Sequence, residues 1–301
     1  MEYALFYAEG DEPIAYVPAQ DDIGDWVDDL GRRGASEYGE RLRPDHDATT
    51  VRVRDGRLLV TDGPFTESKE SIGGFDIIDV ADLDEAIEIA SRHPAAAFGR
   101  VEVRPFMRWP DADPAARVVP ADFLERTASG RRYLMLVVAE SSERRAVIGD
   151  DGGSEAATAE DAAAAAAAPA EAAASDDPDA WVTEMDARGT RLFGEVLHGP
   201  DDATFVSRRQ GELLVSDGPF AESKEWIAGF DLLEVRDLAE AIEVASKHPM
   251  ASGGILELRP LWPFDVHDDH TARARREADE RGVRLEPPAA EALDAAIGAA
   301  L

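Results

Sequence analysis

The chain contains the same nine-residue string twice, 155 positions apart. Residues 62–70 read DGPFTESKE and residues 217–225 read DGPFAESKE, with a single substitution. Around the string, residues 61–105 and 216–260 are identical at 28 of 45 positions without a gap, whereas the stretch upstream (22–60 against 177–215) is identical at only 17 of 39. A repeat of this length predicts one fold present twice in tandem.

The repeat also sets the domain boundaries. Copy one covers residues 1–106 and copy two covers residues 131–264, with a linker at 107–130 and a charged tail at 265–301. The opening strands of the copies align at an offset of 130 rather than 155, so copy two carries 25 extra residues. They fall in an Ala- and Asp-rich insertion at about 149–177, which has no repeating apolar face and predicts a surface excursion.

Both copies have the same pattern of secondary structure. The dipeptide Asp55-Gly56 favours a tight hairpin between two strands. Apolar residues at helical spacing after Leu83 predict a second helix, and Asp82 with Glu85 has the spacing of a capping box. The predicted order is β-α-β-(hairpin)-β-α-β, the split βαβ pattern of ferredoxin-like α+β domains.

The charge balance is extreme, with 63 acidic and 31 basic residues and a net charge of −32. Such a chain repels phosphate backbones and anionic lipids, which argues against nucleic-acid and membrane partners. The basic residues comprise 28 Arg and only three Lys. A salt-filled cytoplasm would screen this self-repulsion, so a salt-loving microbe is one interpretation. A mesophile with a GC-rich genome would explain the preference for Arg but not the acid excess.

Several classes of chemistry are absent from the sequence. There is no Cys, which excludes disulfides and thiolate sites. The chain has no phosphate-binding glycine loop, no nucleophile elbow and no HExxH motif, so neither a cofactor nor a metal is expected. It opens directly on a strand-like segment, without the pattern of a signal peptide, and a cytoplasmic location is expected.

The repeated motifs resemble those of the YCII-related, or DGPF, domain family. Their components are the string 62–70, Gly73-Gly74-Phe75, and the ending Glu102-Val103-Arg104-Pro105, and the resemblance covers nearly all of both copies. It implies an α+β fold of two ferredoxin-like domains, of the dimeric α/β-barrel type, packed sheet to sheet as an intramolecular pseudo-dimer. It implies no established reaction. Some suspected enzymes of the wider superfamily have a His–Asp pair involving the first helix, but neither copy has a His there.

The Asp-Gly-Pro-Phe segment can be interpreted without any ligand. Pro64 fixes its own φ, Gly63 permits unusual dihedral angles, Asp62 can accept backbone amides, and Phe65 can anchor the turn to the core. The motif lysines, Lys69 and Lys224, are harder to explain, because this chain has Arg in place of Lys at nearly every other basic position. A compact ammonium between carboxylates would explain them, and burial could lower its pKa. A duplication too recent to have drifted is the alternative.

Asp76 and Asp231 lie in strands that are otherwise apolar, with Lys69 or Arg104 as candidate partners. On a face lining the barrel, Asp76 would be a candidate general base; on an outer face it would be solvated. The candidate catalytic residues are Asp62, Lys69, Asp76, Asp217, Lys224 and Asp231, and the candidate ligand-binding residues are Glu67, Glu70, Glu222 and Glu225.

His93 and His248 each precede a proline at a helix end, where an imidazolium would interact with the helix dipole. Two functions remain open. The first is a small-molecule binding protein or enzyme that uses acid–base chemistry without a cofactor. The second is a non-catalytic interaction or regulatory module, and further self-association is compatible with either. Convergence of the acidic cluster and Lys69 in a concave pocket would favour the first.

Overall fold

A computed structural model describes most of both copies. The described residues are 1–9, 23–65, 71–108, 113, 116–125, 129–140, 177–209, 211–218, 225–262, 266–267, 273, 277 and 280–281. Nearly all of the predicted insertion and most of the tail lie outside these ranges. So do five candidate site residues, namely Glu67, Lys69, Glu70, Glu222 and Lys224.

The order of elements predicted for each copy is confirmed. Copy one contains β1 (Glu2–Glu9), α1 (Ile23–Arg33), β2 (Ser36–Arg41), β3 (Thr49–Arg54), β4 (Arg57–Asp62), β5 (Ser71–Asp79), α2 (Leu83–Arg92), α3 (Ala95–Phe98) and β6 (Gly99–Pro105). Copy two contains β7 (Arg131–Glu140), α4 (Pro178–Arg188), β8 (Arg191–Val196), β9 (Thr204–Arg209), β10 (Glu212–Asp217), β11 (Glu225–Val235), α5 (Leu238–Ser246), α6 (Met250–Gly253) and β12 (Ile255–Pro260).

Local signals in the sequence account for the turns and caps. Asp55 and Gly56 both have positive φ, at 52° and 72°, which is what a tight hairpin between β3 and β4 requires. The Asp82 side chain accepts a hydrogen bond from the Glu85 amide at 3.0 Å, and Glu85 in turn accepts one from the Ala81 amide at 2.9 Å. The first bond caps α2 at Asp82 as the capping-box spacing predicts, and the second comes from the residue before the cap rather than from the cap itself.

The two copies exchange their hairpins. The first sheet has the order β10-β9-β6-β1-β5-β2, and the second has the order β4-β3-β12-β7-β11-β8. Each sheet therefore takes four strands from one copy and two from the other. Hairpin β3–β4 pairs with β12 of copy two, and β9–β10 pairs with β6 of copy one. Each sheet is thus completed only by a hairpin from the other half of the chain.

A common hydrophobic core joins the inner faces of the sheets. Phe75 on β5 and Phe230 on β11 have ring centroids 6.0 Å apart, and Tyr38 on β2 meets Phe193 on β8 at 5.7 Å. These aromatic rings belong to a single buried cluster that draws on both copies. Burying this apolar surface stabilises the contact between the sheets.

The helices cover the outer faces. Trp26 of α1 lies in the cluster over the first sheet, and that cluster also contains Val206 from copy two. Trp181 of α4 lies in the matching cluster over the second sheet, which includes Val51 from copy one. The hairpin exchange therefore contributes to both outer cores. No helix in the described ranges is long and apolar enough to span a membrane.

Candidate functional site

The turn at residues 62–65, called the motif turn below, is held by the opposite copy. The Phe65 amide donates to Oε2 of Glu257 on β12 at 2.9 Å. Within copy one, the Gly63 amide donates to the Ala48 carbonyl at 2.8 Å, and Thr50 Oγ1 donates to the Gly63 carbonyl at 2.9 Å. Gly63 has a φ of 94°, so glycine is required there. The motif turn of copy one is therefore hydrogen-bonded to the Glu-x-Arg-Pro ending of copy two.

That ending forms a buried ion pair in each copy. Arg259 donates to Glu257 at 3.2 Å, and both side chains are only 2% exposed. Arg104 donates to Glu102 at 2.8 Å and is 1% exposed. Arg259 also donates to the Arg43 carbonyl at 2.7 Å, which ties β12 to the chain that follows β2. Arg104 is therefore engaged inside the molecule and is not the predicted partner of Asp76.

Within each copy, the motif aspartate and the strand aspartate lie in different sheets. Asp62 and Asp217 are exposed at the ends of β4 and β10, and the described residues give neither carboxylate a hydrogen bond. Asp217 shares the first sheet with Asp76, but β10 and β5 are four strand spacings apart, about 19 Å. Asp62 belongs to the second sheet. The two aspartates of copy one are thus carried by different sheets, and their convergence in one cleft stays a prediction.

Asp76 lies on the outer, helix-covered face of the first sheet. Its neighbours in the strand, Phe75 and Ile77, point into the core between the sheets. The Tyr7 hydroxyl donates to Asp76 Oδ2 at 2.6 Å. Asp76 keeps part of its surface exposed. Neither sequence-based alternative is therefore correct: Asp76 does not line the space between the sheets, and it is not simply solvated.

Burial makes Asp76 a weak acid. It raises the pKa of Asp76 to about 7, against a downward effect of the Tyr7 hydrogen bond and with a further upward contribution from Glu40. Burial and then the Asp76 charge raise the pKa of Tyr7 well above its ordinary value. Tyr7 therefore keeps its proton at neutral pH, while Asp76 changes charge there.

A neutral histidine completes this group. His93 stacks on Tyr7, with centroids 3.8 Å apart and planes inclined by 7°, and Trp26 packs against its edge. Burial, and to a lesser degree Arg41, lowers the pKa of His93 to about 3. Its Nδ1 accepts the Ala95 amide at 3.0 Å, at the start of α3. The predicted imidazolium at the end of α2 is therefore wrong, because a buried ring here is neutral.

The equivalent site of copy two has different partners. Arg191 Nε donates to Asp231 Oδ1 at 2.6 Å, and Asp231 is buried. His248 Nε2 lies 3.8 Å from Asp231 Oδ2, and Trp181 packs on His248 as Trp26 does on His93. Although burial opposes it, the Asp231 charge raises the pKa of Arg191. Asp231 therefore belongs to an ion pair rather than to a tyrosine-linked acid.

Two substitutions between the copies explain this difference. Position 191 is Arg in copy two and its equivalent, position 36, is Ser. Tyr7 has Val137 as its equivalent, which is apolar and buried. Copy two thus lacks the hydroxyl and gains the guanidinium. Glu225, the remaining described candidate, is the half-buried first residue of β11.

Glycine beside each aspartate makes room for the carboxyl group. A Cβ at Gly39 would lie 1.8 Å from Asp76 Oδ1, and one at Gly194 would lie 2.2 Å from Asp231 Oδ1. The glycines are directly opposite the aspartates across neighbouring strands. The repeated Gly-Glu of β2 and β8 is therefore required by the site.

We expect Gly39→Ala to lower the free energy of unfolding by about 1–3 kcal/mol, because the new methyl group displaces the Asp76 carboxyl group from Tyr7. Urea unfolding measures the change. Gly31→Ala is the matched control, since its Cβ meets nothing within 4 Å and alanine favours the helix. Equal effects of the two substitutions would contradict the proposed close contact.

Sequence reasoning singled out Asp76 but not its partners. Tyr7 was assigned only to an opening strand, and His93 only to a helix end. The signal that could have found them is the comparison of the copies at aligned positions. His93 recurs as His248, whereas Tyr7 does not recur. The copies therefore keep the histidine but differ in the residue that contacts the strand aspartate.

These features define a tandem α+β protein with two related sites. In one site the strand aspartate is hydrogen-bonded to a tyrosine, and in the other it is paired with an arginine. The YCII-related domain model matches residues 13–110 and 153–265, so the chain belongs to the YCII-related domain family. It is also similar to an uncharacterized protein of Rhizobium meliloti (strain 1021), with 46% identity over 67 residues. That match covers 22% of this chain and 54% of the relative, about half of its length.

Proposed function

We propose that the protein binds a small molecule beside Asp76 and transfers a proton to or from it without a cofactor. The observation that carries the proposal is a carboxyl group hydrogen-bonded to the Tyr7 hydroxyl at 2.6 Å under the helices, in a residue of intermediate exposure. Burial raises the pKa of Asp76 to about 7, which is consistent with this role. A general acid or base works best when its pKa lies near the working pH. In this proposal Asp76 exchanges the proton, while Tyr7 and His93 fix its carboxyl group.

Only copy one is competent in this proposal. Asp231 is paired with the Arg191 guanidinium at 2.6 Å and has no tyrosine hydroxyl beside it, so its surroundings differ from those of Asp76. Its site then serves stability. The motif lysines Lys69 and Lys224 and the motif aspartates Asp62 and Asp217 remain candidate catalytic residues. The glutamates remain candidate ligand-binding residues: Glu67, Glu70, Glu222 and Glu225.

A metabolite-library thermal-shift screen in high salt tests the proposal. We expect a compound that raises the melting temperature of the parent protein, loses this effect in Asp76→Asn, and keeps it in Asp231→Asn, the matched variant at the other site. Asn retains the shape of Asp76 and can still accept the Tyr7 hydrogen bond. A compound that stabilises all three proteins equally would contradict the role of Asp76.

The same screen on Lys69→Arg plus Lys224→Arg tests the motif lysines separately. A compound whose effect depends on Asp76 but not on these lysines would leave the acid–base site in place and remove the lysines from it. This outcome is distinguishable from failure of the whole proposal, since the two sets of variants are scored independently.

A second candidate function is a non-catalytic interaction module. The feature that favours it is β10, the edge strand of the first sheet, in which every residue is exposed. Three consecutive apolar side chains, Leu213, Leu214 and Val215, are 43%, 45% and 45% exposed. An exposed apolar edge strand is a template for pairing with another chain. A screen that yields no Asp76-dependent compound would favour this candidate.

We also infer that each half is a ferredoxin-like domain and that the halves form an intramolecular pseudo-dimer. The order of elements and the shared inner core support this inference. The net charge of −32 and the scarcity of Lys support a salt-rich cytoplasm as the working environment, where screening reduces self-repulsion.

A further inference from the structure

Two neighbouring side chains, one on each sheet, each have a buried N–H donor without an acceptor among the described residues. Arg104 Nε and Trp226 Nε1 are both buried, and neither has a hydrogen-bond partner among the described residues. The Arg104 guanidinium carbon lies 5.8 Å from the centre of the Trp226 ring. A buried donor without an acceptor destabilises the folded protein, so two such donors on neighbouring side chains call for an acceptor.

The remaining donors of Arg104 fix its position. One terminal nitrogen donates to Glu102 at 2.8 Å, and the other donates to the carbonyls of His198 and of Ile227, the latter at 3.3 Å. Arg104 lies on β6 and Trp226 on β11, so the corner joins the two sheets. The Trp226 residue as a whole is half-buried, although its Nε1 atom is buried.

We propose that this corner binds the carboxylate of a small molecule, with one oxygen accepting from Arg104 Nε and the other from Trp226 Nε1. A planar oxyanion suits guanidinium and indole donors, and charge-assisted hydrogen bonds of this kind are strong. Glu102 already balances the charge of Arg104, which favours a single negative charge over a phosphate dianion. The site is separate from Asp76, because Arg104 faces the space between the sheets, whereas Asp76 faces the helices.

The second half of the chain provides a natural comparison. Arg259 also has a buried Nε without a partner, but the position equivalent to Trp226 is Ser71. The indole donor is therefore present in only one half. The proposed carboxylate site is confined to the Arg104 side.

Titration of the protein with sodium acetate, at constant total salt and followed by indole ¹H–¹⁵N NMR, tests the site. We expect a saturable shift of the Trp226 signal, assigned by its loss in Trp226→Phe, with half-saturation on the order of 10 mM, as a ligand of four heavy atoms allows. Trp26 and Trp181 are internal controls, since their indoles already donate to the carbonyls of Ile89 and Val244. Acetamide is the neutral control and should give no saturable shift.

Two variants sharpen the result. Arg104→Lys, which lacks Nε–H, should abolish the saturable shift, whereas Arg259→Lys should retain it. Unchanged Trp26 and Trp181 signals report that a variant is folded. If Arg104→Lys does not fold, the Arg104 Nε–H signal of the parent protein must shift with the same midpoint as Trp226. No acetate-dependent shift, equal shifts for acetate and acetamide, or parallel shifts of all indoles would overturn the proposal.

Discussion

Asp76→Asn is expected to make the protein more stable at pH 8, by up to about 4 kcal/mol, and to change its stability little near pH 3. The pKa of Asp76 is about 7 in the folded protein and ordinarily 3.8, a difference of about three units. Each unit corresponds to about 1.4 kcal/mol. The uncharged amide avoids the cost of burying a carboxylate and can still accept the hydrogen bond of Tyr7.

The sign follows from proton binding. Between pH 4 and 7 the folded protein holds a proton on Asp76 that the unfolded chain has released, so stability falls as pH rises through this window. Below it, both states are protonated and the contribution is fully present. The variant lacks this pH dependence, so the difference between variant and parent grows from pH 4 to 7 and is constant above.

Urea unfolding of both proteins from pH 3 to 8 measures this difference in the free energy of unfolding. The contributions of the many other carboxylates are the same in both proteins and cancel. Asp231→Asn is the matched control and should have the opposite sign, because Arg191 then loses the shorter of its two ion pairs and keeps only the one with Asp186 at 3.3 Å. A destabilising Asp76→Asn at pH 8 would contradict the raised pKa and remove the basis of the acid–base proposal.

Arg259→Met is expected to lower the free energy of unfolding by about 3–5 kcal/mol at pH 7. Removing one partner of a buried ion pair leaves the other without compensation. Glu257 is 2% exposed at its side chain, and burial already raises its pKa despite the opposing effect of Arg259. The loss should therefore shrink in acid, where Glu257 becomes neutral. The Arg43 carbonyl also loses its donor.

The double variant Glu257→Gln plus Arg259→Met is the control. It removes both charges, so it should recover part of the stability lost in Arg259→Met, and Gln can still accept the Phe65 amide. Amide hydrogen exchange at Phe65 measures the effect locally. Exchange of this amide should be faster in Arg259→Met than in the parent protein if the motif turn depends on Glu257. A loss below about 1 kcal/mol in the single variant would contradict a stabilising role for the pair.

Much of the secondary structure could be predicted because its signals are local. Asp82 with Glu85 marked the start of α2, and Asp55-Gly56 marked the hairpin, within a few residues of each feature. Phe65 was expected to anchor the motif turn, and it packs partly buried against the core between the sheets. Each of these depends on dihedral preferences and short-range hydrogen bonds.

The candidate site could be predicted only in part. Asp76 stood out because a carboxylate in an apolar strand needs a partner. Its partner, Tyr7, is 69 residues away and was not marked by any local pattern. Alternation grouped Asp76 with Ile78 on one face, but not with the helices that cover that face. The motif aspartates lie at the ends of hairpins whose pairing with the other copy was not indicated by any local pattern.

The sequence by itself determined that this protein is one fold present twice, with its strands, helices and turns in the same order. Only the tertiary structure decided that each hairpin completes the sheet of the other copy, and that the Phe65 amide of the motif turn therefore donates to Glu257 of the opposite copy. The physical reason is range. Periodicity, caps and turns are determined by neighbouring residues. The backbone groups of an unpaired strand edge, by contrast, can pair with any complementary edge, and burial of the whole core selects among these pairings.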